Sequence, residues 1–540
     1  MAAHPWWRGA VLYQIYPRSY LDSDGDGVGD LRGILKKLDY VADLGVDGVW
    51  ISPFFKSPMK DFGYDVSDHR AIDPLFGNED DFAALIERAH ALGLRIIVDQ
   101  VLSHTSDEHA WFTESRSSRD NAKADWYVWA DPSEDGTPPS NWLSIFGGGA
   151  WQWEPRREQY YLHNFLASQP DLNYHCEAVR ARMLEEVEYW LKQGVDGLRL
   201  DAINFCFHDA GLRDNPPKPS AERRGRGFRT DNPYAYQRHI YDNTRPETLT
   251  FLEDLRRLTD RYPGVVALGE VSAEDTLQAM ADYTGGDQRL HLAYNFELLA
   301  DEFSVEHLRE AVESLEKDGR GVWPCWSTGN HDVRRVVTRW GQGGNDDALA
   351  KLLNAYLLSL RGTVCSYQGE ELGLTEVDIA PEQVRDPYGL NFWPMFKGRD
   401  GCRTPMPWDA DATNGGFSEA GPWLPVPEEH TRRAVSVQSQ DPASVLSAFK
   451  AFVAWRHKRP ELMHGEIEFM DAPGDSLAFI RSFDGLATLC AFNFSGEPVT
   501  LKVPRGQTAR GLGGHGFATA TVSEDAFELG PRQAAFLALT

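Results

Sequence analysis

Apolar and polar positions along this chain follow two alternating patterns. Short, almost wholly apolar runs are separated by longer stretches in which apolar residues lie three or four apart, as in residues 80–92, where Gly93 is placed to cap the end. The apolar runs lie at residues 11–16, 46–52, 94–99, 195–200, 265–269, 291–296, 323–327 and 363–368. Strands that alternate with helices are typical of parallel βαβ units. The pattern therefore predicts an α/β fold whose eight strands close a (β/α)8 TIM barrel.

Two stretches depart from this alternation. Residues 104–170 connect the third strand to the next helix and are rich in Trp, Gly, Pro and Ser, and a connection of that length is usually functional or an inserted domain. After a last amphipathic helix at 445–457, short runs separated by turns predict an antiparallel β domain. We therefore expect a barrel at residues 1–103 and 171–459, an inserted domain at 104–170 and a C-terminal β domain at 460–540.

Composition and charge exclude several classes of partner. The chain has 42% hydrophobic and 25% charged residues, which is ordinary for a globular enzyme. Its 54 Lys and Arg against 81 Asp and Glu give a formal net charge of −27, which repels nucleic acid and anionic membranes. We predict neither as a partner and expect a neutral small molecule instead. A local basic cluster at 223–229 is interpreted as a solvated loop.

The cysteines and the N-terminal residues indicate a reducing compartment. The six cysteines are scattered and show no CxxC pairing, so the sequence predicts neither a zinc site nor a disulfide framework. Residues 1–9 lack the pattern of a signal peptide, and no run approaches the roughly 18 apolar residues of a membrane span. We therefore expect a cytoplasmic protein.

Three acids fall at the ends of predicted strands. Arg199 and Asp201 close one run, Glu270 closes the next, and Asp332 follows His331 after a third. In a parallel barrel the carboxyl ends of the strands share one face, so these acids indicate a single active site. The alternative interpretation of Arg199 and Asp201 alone is a buried ion pair.

A pair of carboxyls suits the cleavage of an acetal. One protonates the leaving oxygen and the other attacks the carbon or activates water. Arg199 is expected to keep Asp201 ionised for attack, and an acid whose pKa is raised by burial or by other carboxylates can donate a proton. This favours Asp201 as nucleophile and Glu270 as acid. His104 and His331 follow strands and can donate to substrate hydroxyls, with zinc as the weaker explanation.

An acidic loop near the N-terminus predicts a divalent cation. Acids occupy the first, third, fifth and ninth positions of a loop with glycine at the sixth, although the twelfth position is Gly33 instead of glutamate. We expect a structural Ca²⁺ or Mg²⁺ rather than an EF-hand, with the alternative of a solvated acidic turn. The predicted ligand residues are Asp22, Asp24, Asp26, Val28 and Asp30. Since no phosphate-binding loop or dinucleotide fingerprint follows a strand, we predict no organic cofactor.

Four motifs in this order resemble the α-amylase family, glycoside hydrolase family 13, and within it the α-glucosidase and oligo-1,6-glucosidase branch. They are Asp99-Gln-Val-Leu-Ser-His104, Gly197-Leu-Arg-Leu-Asp201, Gly269-Glu270-Val and Ser327-Thr-Gly-Asn-His331-Asp332. The resemblance covers nearly the whole chain. It implies a catalytic barrel, an inserted domain called B after the third strand, and a C-terminal β-sandwich.

The resemblance also implies roles for individual residues. By this similarity Asp201 is the nucleophile, Glu270 the general acid and base, and Asp332 the group that stabilises the transition state. The residues it implies for binding one glucose are Asp61, Tyr64, His104, Arg199, His331 and Arg399. Asp61 and Arg399 are implied to close the pocket behind that glucose, which favours exo action on short substrates. The metal loop likewise matches a site in this branch.

The linkage that is cleaved depends on the residue after the nucleophile. Ala202 stands where relatives that cleave α-1,6 bonds tend to carry valine, which suggests a preference for α-1,4 bonds such as that of maltose. The resemblance therefore implies a retaining α-glucosidase that can also transfer glucose to acceptor hydroxyls. Alternatives are an oligo-1,6-glucosidase, a relative that isomerises sucrose or trehalose, and a catalytically inactive binding subunit. The sequence leaves the aglycone and the oligomeric state open.

Overall fold

The structure is a computed structural model that describes residues 4–223, 231–294, 296–317, 322–341 and 346–540. Within these residues its strands are β1 Val11–Ile15, β2 Gly48–Ile51, β3 Phe55–Lys56, β4 Asp68–Ile72, β5 Arg95–Val101, β6 Trp129–Ala130, β7 Trp151–Glu154, β8 Gln159–Leu162, β9 Gly197–Asp201, β10 Val266–Glu270, β11 Leu292–Tyr294, β12 Pro324–Trp326, β13 Thr363–Tyr367, β14 Glu466–Met470, β15 Ser476–Phe483, β16 Leu486–Asn493, β17 Val499–Lys502, β18 Ala509–Gly511, β19 Val522–Ser523, β20 Ala526–Leu529 and β21 Ala534–Leu539.

The helices of the same residues lie mainly between the strands of the first part of the chain. They are α1 Leu31–Asp43, α2 Glu79–Ala91, α3 Ala110–Ser115, α4 Glu177–Lys192, α5 Glu247–Thr259, α6 Thr276–Thr284, α7 Val305–Lys317, α8 Val336–Trp340, α9 Asp347–Ser359, α10 Pro387–Phe392, α11 Glu428–Thr431, α12 Val435–Gln438, α13 Val445–Arg456 and α14 Pro460–His464. The predicted helix at 80–92 is α2, and Gly93 follows it at φ +78°, the left-handed conformation of a helix cap.

Eight parallel strands close a barrel in the order β1, β13, β12, β11, β10, β9, β5, β2. Each corresponds to one of the apolar runs, so the predicted TIM barrel is confirmed. The strands are buried at nearly every position rather than at alternate ones, because helices cover the outside and side chains such as Trp50 fill the inside. The register pairs Leu200 with Gly269, which brings the next residues, Asp201 and Glu270, to the same level.

The connection at 104–170 contains a small sheet of its own. Strands β6, β8 and β7 pair antiparallel in that order, and Trp142 and Trp151 pack in a core beside them. Earlier in the chain, β3 and β4 pair as a short hairpin whose connection carries Asp61 and Tyr64. Both features rise from the face of the barrel on which the strands end.

The C-terminal residues form two antiparallel sheets, as the sequence predicted. One sheet has the order β14, β15, β16, β21, β18 and the other β17, β20, β19, with an apolar core between them that includes Leu489, Leu501 and Phe527. Helix α14 joins this domain, since Thr488 donates to Glu461 at 2.8 Å.

Two global features of the described residues bear on the sequence predictions. No helix among them has the length and apolar character needed to cross a membrane. All six cysteines are free thiols. Residues 224–230, most of the basic cluster, lie outside the described part of the chain.

Candidate active site

Carboxyls from three barrel strands meet around one arginine. Arg199 lies on β9 two residues before Asp201, so both side chains point to the same side. Its guanidinium donates to Asp201 Oδ1 at 2.7 Å and forms an ion pair with Glu270 Oε1 at 2.6 Å. It also donates to Asp99 Oδ1 on β5 at 3.0 Å. One buried cation therefore holds the carboxyls of three strands.

Burial raises the pKa of two of these carboxyls. Removal from water raises the pKa of Glu270 to about 8, with Arg199 opposing the shift and Asp201 adding to it. Burial raises the pKa of Asp201 to about 7, while Arg199 favours the ionised form as the sequence suggested. Burial outweighs the guanidinium in both cases. Glu270 is the carboxyl that keeps its proton to higher pH, and Asp201 is the one that ionises first.

Ala202 links these two acids through its backbone. It has φ +40° and ψ +42°, a left-handed conformation that residues other than glycine seldom adopt. In this conformation its N–H donates to Glu270 Oε2 at 3.1 Å. The residue after the nucleophile thus also fixes the orientation of the second carboxyl.

Asp332 lies in the opposite electrostatic environment. Arg399 and Arg403 each donate to its Oδ1 at 2.9 Å, and its backbone N–H donates to Asn330 at 2.8 Å. Although burial works to raise it, the positive groups around this carboxyl hold the pKa of Asp332 far below its usual range. Asp332 is therefore the permanently ionised acid of the site.

Arg399 and Asp61 form the floor of the cavity. Arg399 donates to Asp61 Oδ1 at 2.9 Å, and Gln169 donates to Asp61 Oδ2 at 3.1 Å. Asp386 fixes Arg399 from the other side by accepting from its backbone N–H at 2.7 Å and from its guanidinium at 2.8 and 3.1 Å. Burial raises the pKa of Asp61 to about 6 despite the facing arginine.

His331 lies in a chain of hydrogen bonds behind the cavity wall. Gln14 Nε2 donates to His331 Nδ1 at 2.7 Å, His331 Nε2 lies 2.6 Å from the Tyr64 hydroxyl, and Tyr64 donates to Asp99 at 3.1 Å. Burial lowers the pKa of His331 to about 3, so the ring is neutral, and these partners assign its proton to Nε2. A sugar hydroxyl could reach this ring only by displacing one of its partners.

His104 is held in a similar way on the other side of Tyr64. Its Nε2 lies 3.1 Å from the Tyr64 carbonyl and 3.2 Å from Gln169 Nε2, and Ser103 lies 2.9 Å from Nδ1. Burial lowers the pKa of His104 to about 4, which leaves this ring neutral as well. Unlike His331, it reaches the cavity surface.

These groups surround an open-mouthed cavity at the carboxyl ends of the strands. Seven of the nine residues predicted for catalysis and substrate binding line it: Asp61, Tyr64, His104, Asp201, Glu270, Asp332 and Arg399. Arg199 and His331 lie behind the lining, fully buried, and act on it through Asp201, Glu270 and Tyr64. The remaining lining residues are Ile145, Phe146, Phe165, Gln169, Ala202, Phe205, Ser272, Phe296 and Tyr388.

Sequence reasoning assigned no role to several residues that build this site. Asp99 begins one of the four family motifs, so its position beside Arg199 had a signal, and Arg403 lies four residues after Arg399, the arginine implied for the pocket. Asp386 and Gln169 had none, because their partners lie 13 and 108 positions away on other loops. The aromatic lining residues had no signal either, since aromatic side chains are equally common in cores.

The acidic loop brings together part of the predicted cation site. Carboxylate oxygens of Asp22, Asp24 and Asp30 all lie within 4.8 Å of one another, which suits a hard divalent cation. Asp26 is not in this group, and its Oδ1 accepts from the Val28 N–H at 2.8 Å. The described site therefore offers three carboxylates, with Asp26 and Val28 beside them.

Comparison with known proteins gives four informative matches. The sequence model described as the α-amylase catalytic domain matches residues 14–465. A protein of Rhizobium meliloti (strain 1021) named probable alpha-glucosidase is 54% identical over 515 residues, covering 95% of this chain and 93% of its own. The crystal structure of an alpha-glucosyl transfer enzyme is 57% identical with a TM-score of 0.97, covering 99% of this chain and 100% of that one. That of a trehalulose synthase from Pseudomonas mesoacidophila is 30% identical with a TM-score of 0.88, covering 100% of both chains.

Proposed function

This chain belongs to the α-amylase family and is a glycoside hydrolase, and from that premise we propose that it is a retaining α-glucosidase that releases one terminal glucose from short α-glucosides. The observation that carries this proposal is the pair Asp201 and Glu270, held on adjacent strand ends by Arg199. Neighbouring strands lie about 4.8 Å apart. Retaining enzymes separate their carboxyls by about 5–5.5 Å, whereas inverting enzymes leave roughly 6.5–9.5 Å for a water.

In the first step Glu270 donates its proton to the glycosidic oxygen and Asp201 attacks the anomeric carbon. The bond to the leaving oxygen breaks and a bond from that carbon to Asp201 Oδ forms. The pKa of Glu270, raised to about 8, keeps this acid protonated at neutral pH. Asp332 is ionised throughout, and its negative charge stabilises the positive charge that develops on the sugar ring in the transition state.

In the second step Glu270 acts as a base. Once Asp201 is esterified its negative charge is gone, and since that charge raises the pKa of Glu270, the pKa falls. Glu270 then accepts a proton from water or from another alcohol as it attacks the anomeric carbon, and Asp201 is released. The glucose keeps its α configuration.

The floor of the cavity supports exo action. Asp61 and Arg399 pair at 2.9 Å and block the end of the pocket behind the acids. A chain that continued beyond the terminal glucose on that side would have to break this buried ion pair. Hydroxyls of a single glucose can instead hydrogen-bond to it.

A preference for α-1,4 bonds follows from Ala202, whose small side chain lines the cavity beside the nucleophile. Maltose is the substrate we propose. The alternatives are an oligo-1,6-glucosidase and an enzyme that isomerises sucrose or trehalose, since a trehalulose synthase shares the fold. A panel of maltose, isomaltose, sucrose, trehalose and starch, with product analysis, distinguishes these activities. Intact acids at all three positions argue against an inactive binding subunit.

Stereochemistry is the direct test of the mechanism. Proton NMR of maltose hydrolysis should show the glucose from the non-reducing end appearing first as the α anomer, in excess over the mixture of α and β anomers that the reducing end releases, and this excess should decay later by mutarotation. Initial release of β-glucose from the non-reducing end would overturn the proposal.

We further propose that Asp22, Asp24 and Asp30 hold a structural Ca²⁺ or Mg²⁺, supported by their convergence and by the preference of these ions for carboxylate oxygen. The metal contributes to the fold of this loop and takes no part in the chemistry. Free thiols and the strongly negative charge support a cytoplasmic location and a neutral substrate.

A further inference from the structure

A buried asparagine lies between the strand ends that carry the nucleophile and the acid. Asn204 follows Asp201 by three residues, in the short 3-10 helix Ile203–Phe205 that comes after β9. Its side chain is fully buried. It lies behind the residues that line the cavity rather than among them.

The side-chain amide of Asn204 holds the backbone just beyond Glu270. Its Nδ2 donates to the Ser272 carbonyl at 2.6 Å, and its Oδ1 accepts from the Ser272 N–H in a longer bond of 3.4 Å. The residue three positions after Asp201 is therefore joined to the residue two positions after Glu270. We call this pair of hydrogen bonds the Asn204 clasp.

The two chain segments also meet in front of Glu270. Gly269 precedes that acid on β10, and a Cβ at this glycine would lie 3.3 Å from Ile203 Cγ2, so the absence of a side chain permits the close approach. The segment that follows β9 therefore contacts β10 immediately before Glu270. Asn204 holds the same segment to Ser272 immediately after it.

The loop behind Asn204 fixes the orientation of its amide. Nδ2 also donates to the Thr244 hydroxyl at 3.0 Å, and the Thr244 N–H donates to the Asn204 carbonyl at 2.7 Å. Thr244 has φ +52°, a left-handed conformation that is strained for a β-branched residue. Such strain persists only where the surrounding contacts require it. Both hydrogens of the amide are engaged, so the Asn204 clasp has a single geometry.

We propose that Asn204 is a positioning residue that sets the separation between Asp201 and Glu270. This inference rests on the proposed function, because it concerns how the nucleophile and the acid of that reaction act together on one glycosidic bond. Among the described residues the amide bonds to neither carboxyl, so it acts through the backbone that carries them. Retention requires the carboxyls to lie about 5–5.5 Å apart, and a misplacement of about 1 Å can cost about 10² in rate.

Leaving groups that differ in their need for a proton report this separation. 4-Nitrophenyl α-glucoside releases a phenoxide that leaves with little protonation, whereas 4-methylphenyl α-glucoside releases one whose phenol has a pKa of about 10, as in tyrosine. The two aglycones are similar in size and shape, so changes in their binding affect both alike. The ratio of kcat/KM for the two substrates therefore measures proton donation by Glu270 and is independent of the fraction of folded enzyme.

Two variants remove the Asn204 clasp. Asn204→Ala deletes the amide, and Asn204→Asp keeps the shape of the side chain but places a carboxylate oxygen against the Ser272 carbonyl. In each variant we expect kcat/KM for the methylphenyl glucoside to fall about tenfold further than for the nitrophenyl glucoside. This is part of the factor of about 10²–10⁴ that general acid catalysis typically contributes. Glu270→Gln removes that contribution altogether and should lower the ratio further.

Asn232 supplies the matched control. It is another buried asparagine that joins loops around the cavity, since it donates to the Ile145 carbonyl at 2.8 Å and to the Tyr388 hydroxyl at 3.0 Å and accepts from the Tyr234 N–H at 3.0 Å. None of these bonds reaches the ends of β9 or β10. Asn232→Ala should therefore keep the wild-type ratio, even if both kcat/KM values fall.

The outcomes separate positioning from support of the fold. Equal losses for the two substrates in both Asn204 variants would overturn the proposal, and so would a failure of both variants to fold, because either result assigns Asn204 to the fold alone. A lowered ratio in Asn232→Ala would also overturn it, because the loss of any loop contact would then act on the acid. A wild-type enzyme that cleaves neither glucoside would instead overturn the proposed function.

Discussion

Two acids in one cavity differ in pKa because of the cations beside them. Glu270 shares a single guanidinium with Asp201 and Asp99, so that one positive charge is divided among three carboxyls and burial prevails. Asp332 meets two guanidiniums, those of Arg399 and Arg403, and remains ionised. The balance of charges at each side chain thus separates the proton donor from the charge stabiliser.

Leaving groups distinguish the roles of Asp201 and Glu270. We expect Glu270→Gln to lower kcat/KM for maltose by on the order of 10³, because the leaving glucose needs a proton. The loss with α-glucosyl fluoride should be much smaller, since fluoride leaves with little protonation. Asp201→Asn should abolish turnover of both substrates, because the nucleophile is gone. Equal losses for both substrates in Glu270→Gln would remove its assignment as the acid.

The pH profile of kcat/KM should follow the same two carboxyls. Activity needs Asp201 ionised, so it should rise as the pH increases through about 7, and it needs Glu270 protonated, so it should fall as the pH passes about 8. The expected profile is a narrow bell in the free enzyme. Glu270→Gln should lose the alkaline limb in its residual activity with α-glucosyl fluoride, and persistence of that limb would assign it to another group.

Ala202 has both an unusual backbone conformation and a side chain that is expected to determine which linkage is cleaved. At φ +40° a residue with a β-branched side chain is strongly strained, whereas glycine adopts this conformation without strain. We expect Ala202→Val to lower kcat/KM for maltose by about tenfold relative to isomaltose, since it crowds the cavity and disturbs the N–H that holds Glu270. Ala202→Gly should keep the wild-type preference. An unchanged maltose to isomaltose ratio in Ala202→Val would remove the basis for the α-1,4 proposal.

At the scale of the element, a buried ion pair stabilises the turn that carries Asn232. His239 Nδ1 lies 2.6 Å from Asp242 and Nε2 lies 2.7 Å from the Tyr234 carbonyl, so the ring donates twice and is an imidazolium. Although burial opposes it, Asp242 raises the pKa of His239 above its usual value. The stabilisation is complete below about pH 6.5, the pKa of an unfolded histidine, and is lost as the pH rises through the folded pKa.

His239→Gln should therefore lower Tm more at pH 6 than at pH 9. Tm is measured for the wild type and the variant at both pH values. His175→Gln is the control, because within the described residues the His175 ring has one hydrogen-bond acceptor, the His208 carbonyl, and no carboxylate partner. A loss of Tm that is the same at both pH values would mean that His239 contributes packing but no charge.

The elements themselves were readable from the sequence, and their relative placement was not. Each apolar run became a barrel strand because a strand covered on both faces needs apolar residues at every position. The helix at Glu79–Ala91 ended where Gly93 predicted. The sheet of β6, β7 and β8 inside the inserted segment was missed, because strands of two to four residues are too short to show a period.

The same limit applies to the candidate site. Its acids close recognisable strands, so the sequence predicted them. Asn232, Gln169 and Asp386 act between loops that meet only after the barrel has closed, and nothing local distinguishes them from any other polar loop residue. The position of His331 behind Tyr64 also depends on rings from distant strands, since it stacks between Tyr16 and Tyr64.

At the scale of the whole molecule, the acidic loop connects the beginning and end of the barrel domain. Asp22 accepts from the Ser418 hydroxyl at 2.5 Å, and the backbone N–H of Trp423 donates to the Gly27 carbonyl at 3.0 Å. Asp30 caps α1 by accepting from Gly33 at 2.7 Å. The loop therefore ties a helix near the N-terminus to residues almost four hundred positions later.

A cation in this loop should stabilise the whole barrel domain. The hydrogen bonds that connect the loop to α1 and to residues 418–423 are lost only when the domain unfolds, so binding of the cation opposes that unfolding. A ligand present at 100 times its Kd adds about 2.7 kcal/mol to the free energy of unfolding. We therefore expect EDTA to lower Tm by a few degrees and added Ca²⁺ or Mg²⁺ to restore it. Asp24→Asn should abolish the response to both, whereas Asp484→Asn, in a turn of the C-terminal domain, should retain it. A Tm that is insensitive to chelator and cation in the wild type would show that the three carboxylates form a solvated turn held by hydrogen bonds alone.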